Sequence, residues 1–466
     1  MHLHPANEDS LRSFWPRVRE FAVPPSMIET ATARRAAGDW AGACAAARVD
    51  VDLDLRSVAR AHGRELAARI RADLRRLAPD LLRWHLPRIA PDGLLRPGLT
   101  LTLVRYGDDA TGPPHLVVRT PPAWADGGQR ISLALWDGTR RDADARRHPH
   151  PRPSRSFRLD LHRHLWDAGR SGELRARSGA DQPEMPDPPD PLEVPELVPE
   201  GLHRAVGRWA AEAVILLSAE GRTAGPVVVR LGSRHRVALT PDPVAGTLRI
   251  APAPTDGSAR ALPVLPDAAT WVLPDLELLR TGAIDAGQLH PLVAAALVAD
   301  PPCPRPQPDA SVRKLGRAGD PHLVECRGAP HRIGLVDGVL VPLDHDPAEI
   351  RREELLVALT GTPLPCLRAI DEAHRHPDCL VGVRERLIHG DTAGALAVVE
   401  GLLGPDAVLR GGALRDELQA AAERRLAYGL FRAGLADPGP RSGHFSPGRP
   451  HPRLRPTSRP RHTTAR

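Results

Sequence analysis

Apolar and polar positions along the chain alternate between two periods. Runs with strand character fall at 99–105, 115–119, 130–136, 247–250 and 338–342, where β-branched and leucine residues cluster between turn formers. Helical periodicity occupies 56–78, 202–219, 275–299, 347–359 and 411–434. The two kinds of element interleave without regular β-α-β spacing. They predict an α+β protein with duplicated helical-hairpin units near both ends, small antiparallel β segments between them, and a disordered C-terminal tail.

The duplication rests on an ungapped internal match at an offset of 352 residues. Pro25, Arg34, Gly38, Asp39, Ala41, Gly42, Ala43 and Ala45 recur as Pro377, Arg386, Gly390, Asp391, Ala393, Gly394, Ala395 and Ala397. Asp54, Glu65, Leu66, Ala68 and Leu74 recur as Asp406, Glu417, Leu418, Ala420 and Leu426. The shared Gly-Asp-x-Ala-Gly-Ala core reads as a helix corner. Gly38 and Gly390 suit a left-handed C′ position, and Asp39 and Asp391 follow as N-caps. Ser26, with Glu29 three residues on, predicts a capping box opening the first copy; Asp378 would cap the second. A longer third helix is expected in each copy. The helix–Gly-Asp–helix pattern resembles the units of tetratricopeptide-type helical hairpins, without their 34-residue consensus or tandem repetition. A second echo joins Gly232–Leu239 to Gly328–Leu335, each read as strand, turn, strand, with His235-Arg236 and His331-Arg332 at flanking turns.

Composition divides the chain further. Residues 178–200 hold seven prolines and seven acids without a base, as expected of an extended acidic linker. A shorter proline-rich break spans 300–308. The organisation this predicts is an N-terminal extension (1–24), a helical unit followed by a β segment (25–170), a linker (171–200), a central module with two similar hairpins (201–343), a C-terminal helical module (344–436) and an Arg/Pro-rich tail (437–466).

Of 63 basic residues Lys314 is the only lysine, and it lacks the flanking glycines of a phosphate loop. That argues against phosphate-loop, protein-kinase and Schiff-base chemistry. Residues 441–466 carry seven arginines and no acid, which leaves the rest of the chain near neutral, with 56 basic and 57 acidic residues. The sequence pI of 9.6 therefore reflects the tail. Five scattered cysteines, no Cys-x-x-Cys and no apolar leader fit a cytoplasmic protein without a membrane span.

Candidate chemistry is thin. Ile370-Asp371-Glu372-Ala373-His374 resembles the acidic box of helicases, but Arg368 interrupts the strand it needs and no phosphate loop precedes it. His374, His376 and Cys379, with Asp371, have zinc-donor chemistry, and His345 lies between Asp344 and Asp346. Asp346-Pro347-Ala348-Glu349 reads instead as a helix cap, and the histidines near Pro377 as a helix end. Six tryptophans in the first third (Trp15, Trp40, Trp84, Trp124, Trp136, Trp166) are expected as core anchors. The arginines from Arg140 to Arg158 form the one other candidate basic face. No catalytic, metal or cofactor residues are assigned. The expected function is a non-enzymatic protein-interaction or scaffold protein with an unknown protein partner. The alternatives are nonspecific nucleic-acid binding through the Arg-rich tail, and a metal-dependent hydrolase using His345, His374 and His376.

Overall fold

In this computed structural model residues 8–107, 112–138, 148–181, 204–232, 235–242, 247–255, 257–298, 322–326, 329–336, 339–342, 344–346, 348–352, 365, 378–403 and 413–435 are described. The chain is mixed helix and sheet. The tail, the 300–308 break and residues 371–377, with His374 and His376, lie outside the described residues.

Helices α1 (Glu8–Phe21), α2 (Pro25–Ala36) and α3 (Trp40–Ala46) open the chain and lead into strand β1 (Val49–Asp52). The segment expected as an N-terminal extension is thus a helix, and its Phe14 and Val18 are buried in the first core. Helices α4 (Leu55–His62), α5 (Arg64–Arg76) and α6 (Pro79–His85) follow, then the two-residue strands β2 (Arg88–Ile89) and β3 (Leu94–Leu95). Strands β4 (Thr100–Arg105), β5 (His115–Arg119) and β6 (Ile131–Trp136) complete a four-stranded sheet of order β1-β6-β5-β4. β4 and β5 are buried along nearly their whole length, which accounts for their continuous apolar runs. β1 pairs in parallel with β6, Val49 opposite Ile131, so this sheet is mixed where small antiparallel segments were expected.

The first core continues past the acidic stretch. Leu174 of α7 (Leu174–Ser178), Leu278 of α10 (Pro274–Arg280) and Val293 and Leu297 of α11 (Pro291–Leu297) pack with Ile70, Trp84 and Leu101. The single helix expected over 275–299 is two, because the segment between them turns through Gly282 at φ 67° and a capping box at Asp285. A second core joins α8 (Val206–Ala219), through Trp209 and Leu216, to the antiparallel sheet β7 (Val227–Arg230), β8 (Arg236–Asp242), β9 (Thr247–Pro252), with α9 (Asp267–Thr270) beside it. A second three-stranded meander comprises β10 (His322–Cys326), β11 (Ala329–Val336) and β12 (Val339–Pro342). The two sequence echoes contribute the central strands of these two sheets. His331 lies inside β11, not at a turn, and stacks on His345 with ring centroids 4.2 Å apart.

The third core belongs to α12 (Asp378–Ile388), α13 (Thr392–Leu403) and α14 (Ala413–Ala433), whose Val383, Leu387, Ala395, Val399 and Ala421 cluster together. Both corners form as the sequence predicts. Gly38 has φ 79° and Gly390 φ 83°. Asp39 accepts from Gly42 N at 2.8 Å and from Arg34 Nη1 at 3.2 Å. Asp391 accepts from Gly394 N at 3.2 Å and from Arg386 Nη1 at 3.0 Å. Beyond the corner the segments differ. After α3 comes strand β1, and the expected 56–78 helix is divided into α4 and α5 at Gly63, φ 92°, whereas α14 runs unbroken for 21 residues. The capping box at Ser26 is also absent: α2 begins one residue earlier, with Pro25 in its first turn and Pro24 at the cap. Pro25 removes the one orphan N–H at N1, and Met27 N bonds the Pro24 carbonyl at 2.9 Å instead of a side chain.

Buried ion pairs staple the first core. Arg19 of α1 donates to Asp275 of α10 at 2.8 Å and to the Trp84 carbonyl at 2.8 Å, and Trp84 Nε1 donates to the other Asp275 oxygen at 3.0 Å. His290 and Asp80 are 3.0 Å apart, both at about 1% exposure. Of the six early tryptophans, Trp84 and Trp166 are fully buried, and Trp15 and Trp40 flank the core. Trp124 is 41% exposed and stands edge-on to Phe431 of α14 instead of entering the core.

Candidate functional site

Helix α14 lies against the sheet near β1, and a cleft of about 830 Å³ opens between them. Its construction starts at β1. Alternation along a strand sends Val49 and Val51 toward the first core and Asp50 and Asp52 to the opposite face. Asp50 accepts from Arg130 Nε at 3.2 Å, more closely from Arg130 Nη2, and from the Tyr428 hydroxyl. Asp52 accepts from both Nη groups of Arg432. Burial pushes the Asp50 carboxyl up, but the Arg130 and Tyr428 bonds outweigh it and hold the group below the usual carboxylate range. Burial and the neighbouring Asp50 push the Tyr428 phenol well up. Tyr428 is therefore a neutral donor and Asp50 an anion at neutral pH.

The other wall is α13 and the corner before it. Thr392, Ala393 and the 42% exposed Leu396 face the cleft. Arg48 reaches across to the His389 carbonyl at 2.7 Å and to Asp391 at 3.3 Å. The loop before β6 approaches the C-terminal helices closely at its glycines. A Cβ on Gly127 would lie 2.1 Å from the Arg424 carbonyl oxygen, and a Cβ on Gly390 would lie 2.1 Å from that of Gly128. Among the described residues, the two non-glycine residues with positive φ, Arg48 (59°) and Gln129 (50°), both sit at this junction. Each is held from outside. The Arg48 carbonyl accepts from Ile131 N, while Gln129 Oε1 accepts from Leu95 N at 2.6 Å and its carbonyl from Arg83. Strained conformations persist only where surrounding contacts over-determine them.

A smaller recess continues the cleft past Tyr428, lined by Asp52, Arg119, Thr120, Ser132, His148 and Phe431. His148 engages both ring nitrogens, one on the Thr120 carbonyl at 2.8 Å and the other on His150 N at 3.2 Å, so neither is left to act as a base on Ser132. Across cleft and recess, Arg119, Arg130, Arg425 and Arg432 face Asp50 and Asp52. The balance favours an anionic ligand, and guanidinium forks suit carboxylates.

Among the described residues, none of the metal or basic-face candidates singled out from sequence lines this cleft. His345 is stacked on His331, and its Nδ1 is 3.5 Å from Glu349. Asp344 accepts both arms of Arg332, and Asp346 caps the next turn through Ala348 N at 2.9 Å. Arg155 donates to the Arg260 and Leu262 carbonyls, and Arg158 pairs with Asp160 and Glu220, so this part of the candidate basic face is internal wiring. Among the described residues no three His, Cys, Asp or Glu side chains converge on a metal position, and no helix is long and apolar enough to cross a membrane. The residues missed, Asp50, Arg130, Tyr428 and Arg432, carried one faint sequence signal, the Val-Asp-Val-Asp alternation at 49–52, which is too short by itself to establish a strand period. Comparison with protein-family models, with characterised proteins and with solved structures finds no match.

Proposed function

We propose that this chain is a non-enzymatic protein-interaction protein, that its helical hairpins at 25–46 and 378–403 are duplicates of one unit, and that an acidic partner binds in the cleft beside α14. The duplication reading draws support from the corner bonds, which match donor for donor at Asp39 and Asp391. The binding reading is carried by one observation: Arg130, Arg425 and Arg432 line an open cleft with Asp50 as its acid, and Arg425 and Leu396 there are exposed. Exposed apolar area ringed by arginine is a common composition for protein interfaces. The pairs Arg130–Asp50 and Arg432–Asp52 fix the walls, and Arg425 supplies rim charge to steer an anion.

The test is capture of a partner on the immobilised full-length chain at low salt, repeated with Arg425→Glu and with Leu396→Asp. The expected result is a partner retained by the parent chain and lost from both variants. Retention that survives both substitutions would place the interaction elsewhere. Retention of nucleic acid that disappears on deleting 441–466 would favour the tail.

A further inference from the structure

The cleft touches both Asp50 and Val51. Consecutive strand residues point to opposite faces, so a space that reaches both must pass around the edge of β1. One edge is taken by β6, and among the described residues the sheet order leaves the other without a strand. The ladder fixes which groups are there. The Arg48 carbonyl accepts from Ile131 N, so along this parallel pairing the amides and carbonyls of Asp50 and Asp52 face β6, and those of Val51 face away from it. Opposite that edge stand Ala393 and Leu396, with Arg425 at the rim.

Resting on the cleft reading above, we infer that the partner enters as an extended acidic segment that adds a strand to the free edge of β1. The Val51 N–H and C=O bond its main chain. An apolar side chain packs on Leu396, and a flanking carboxylate meets the exposed Arg425. Strand addition draws affinity from main-chain bonds and specificity from alternate side chains. Charge selects the occupant: the cleft itself is lined by Arg130, Arg425 and Arg432 against Asp50, and a basic segment would set its own charges against the exposed Arg425. The edge is short, four residues, which limits the added strand to about as many and keeps it from templating aggregation.

The probe is a displayed library of random eight-residue peptides selected on the immobilised full chain. Selected peptides should alternate acidic and apolar residues. Val51→Pro removes the outward N–H without touching the β6 ladder, and should weaken the selected peptides by roughly tenfold, the equivalent of one good hydrogen bond. Because that variant could misfold, the same peptides are also made with single N-methylated amides; methylation at alternate positions should produce a similar loss on the unaltered protein. Peptides lost on Arg425→Glu but indifferent to Val51→Pro and to every N-methylation would overturn strand addition and leave the cleft reading standing. If no selected peptide depends on Arg425, both readings fail.

Discussion

Arg48 and Asp391, 343 positions apart in sequence, meet at 3.3 Å, and the same arginine donates to the His389 carbonyl next door. The aspartate is the cap of a helix corner in the last core, and the arginine is the strained residue that turns α3 into β1. One side chain thus ties the entrance of the sheet to the C-terminal helices, beside the Tyr428–Asp50 and Arg432–Asp52 bonds that join β1 to α14.

The two corners should respond differently to the same substitution. Gly38→Ala meets nothing within 4 Å and pays only for a left-handed conformation, about 1 kcal/mol. Gly390→Ala adds a clash with the Gly128 carbonyl and should cost roughly 3 kcal/mol. Urea denaturation of the two variants measures both. Equal losses would mean that the close approach of Gly390 to Gly128 is not maintained in solution.

Asp275→Ala leaves Arg19 buried without its partner and Trp84 Nε1 without its acceptor. Breaking a buried pair on one side costs about 3–5 kcal/mol. The double change Arg19→Met with Asp275→Leu should cost less than Asp275→Ala alone. If the single variant is as stable as the parent by thermal or urea denaturation, the pair is not a staple.

Stability should fall with acid through His389. Burial first, then Arg88, Arg83, Arg17 and Arg48, brings its pKa down to about 3. The unfolded ring titrates near 6.5, so between these values the unfolded chain holds one more proton. The stabilisation is complete above about 6.5 and erodes as pH falls toward 3, by no more than about 1.4 kcal/mol per unit. Glu385 and Glu20, whose carboxyls burial pushes up, work in the opposite direction below the neutral range. His85, His115, His148 and His164, also held down by burial, act in the same sense, so His389→Gln should reduce but not abolish the pH dependence measured by denaturation at pH 4 to 8, and an unchanged slope would remove His389 as a contributor.

Tyr428→Phe deletes the hydroxyl that α14 donates to Asp50 and leaves Arg130 in place. A bond to a charged acceptor is worth about 1.5 kcal/mol or more. The loss should appear locally, as faster amide exchange in α12 to α14 with little change in β4 and β5. Uniform loss across the chain would mean that the C-terminal helices unfold together with the first core.

The sequence made some of this structure legible. Strands β4, β5 and β6 were readable because their apolar runs are local and bounded by turns, and the corners because Gly-Asp-x-Ala-Gly-Ala states its own backbone requirements. β1 was hidden: four residues between two helical signals are too few to establish a period, and its parallel partner lies some 80 residues away. The cleft was hidden for the same reason. Asp50, Arg130 and Tyr428 each read as an ordinary surface position until the fold brings them together. His345 sits between two aspartates in sequence, but the fold stacks it on His331 while Asp344 bonds Arg332 and Asp346 bonds Ala348 N.

Because α10 and α11 complete a core begun by α1 and β4, synthesis order has a cost. When residue 178 leaves the ribosome, the surfaces that will meet Leu278, Val293 and Leu297 are still uncovered. At roughly 5–20 residues per second the chain must wait several seconds or more for its closing helices. The first body cannot close until residue 297 has emerged, and its apolar faces stay open to other contacts until then.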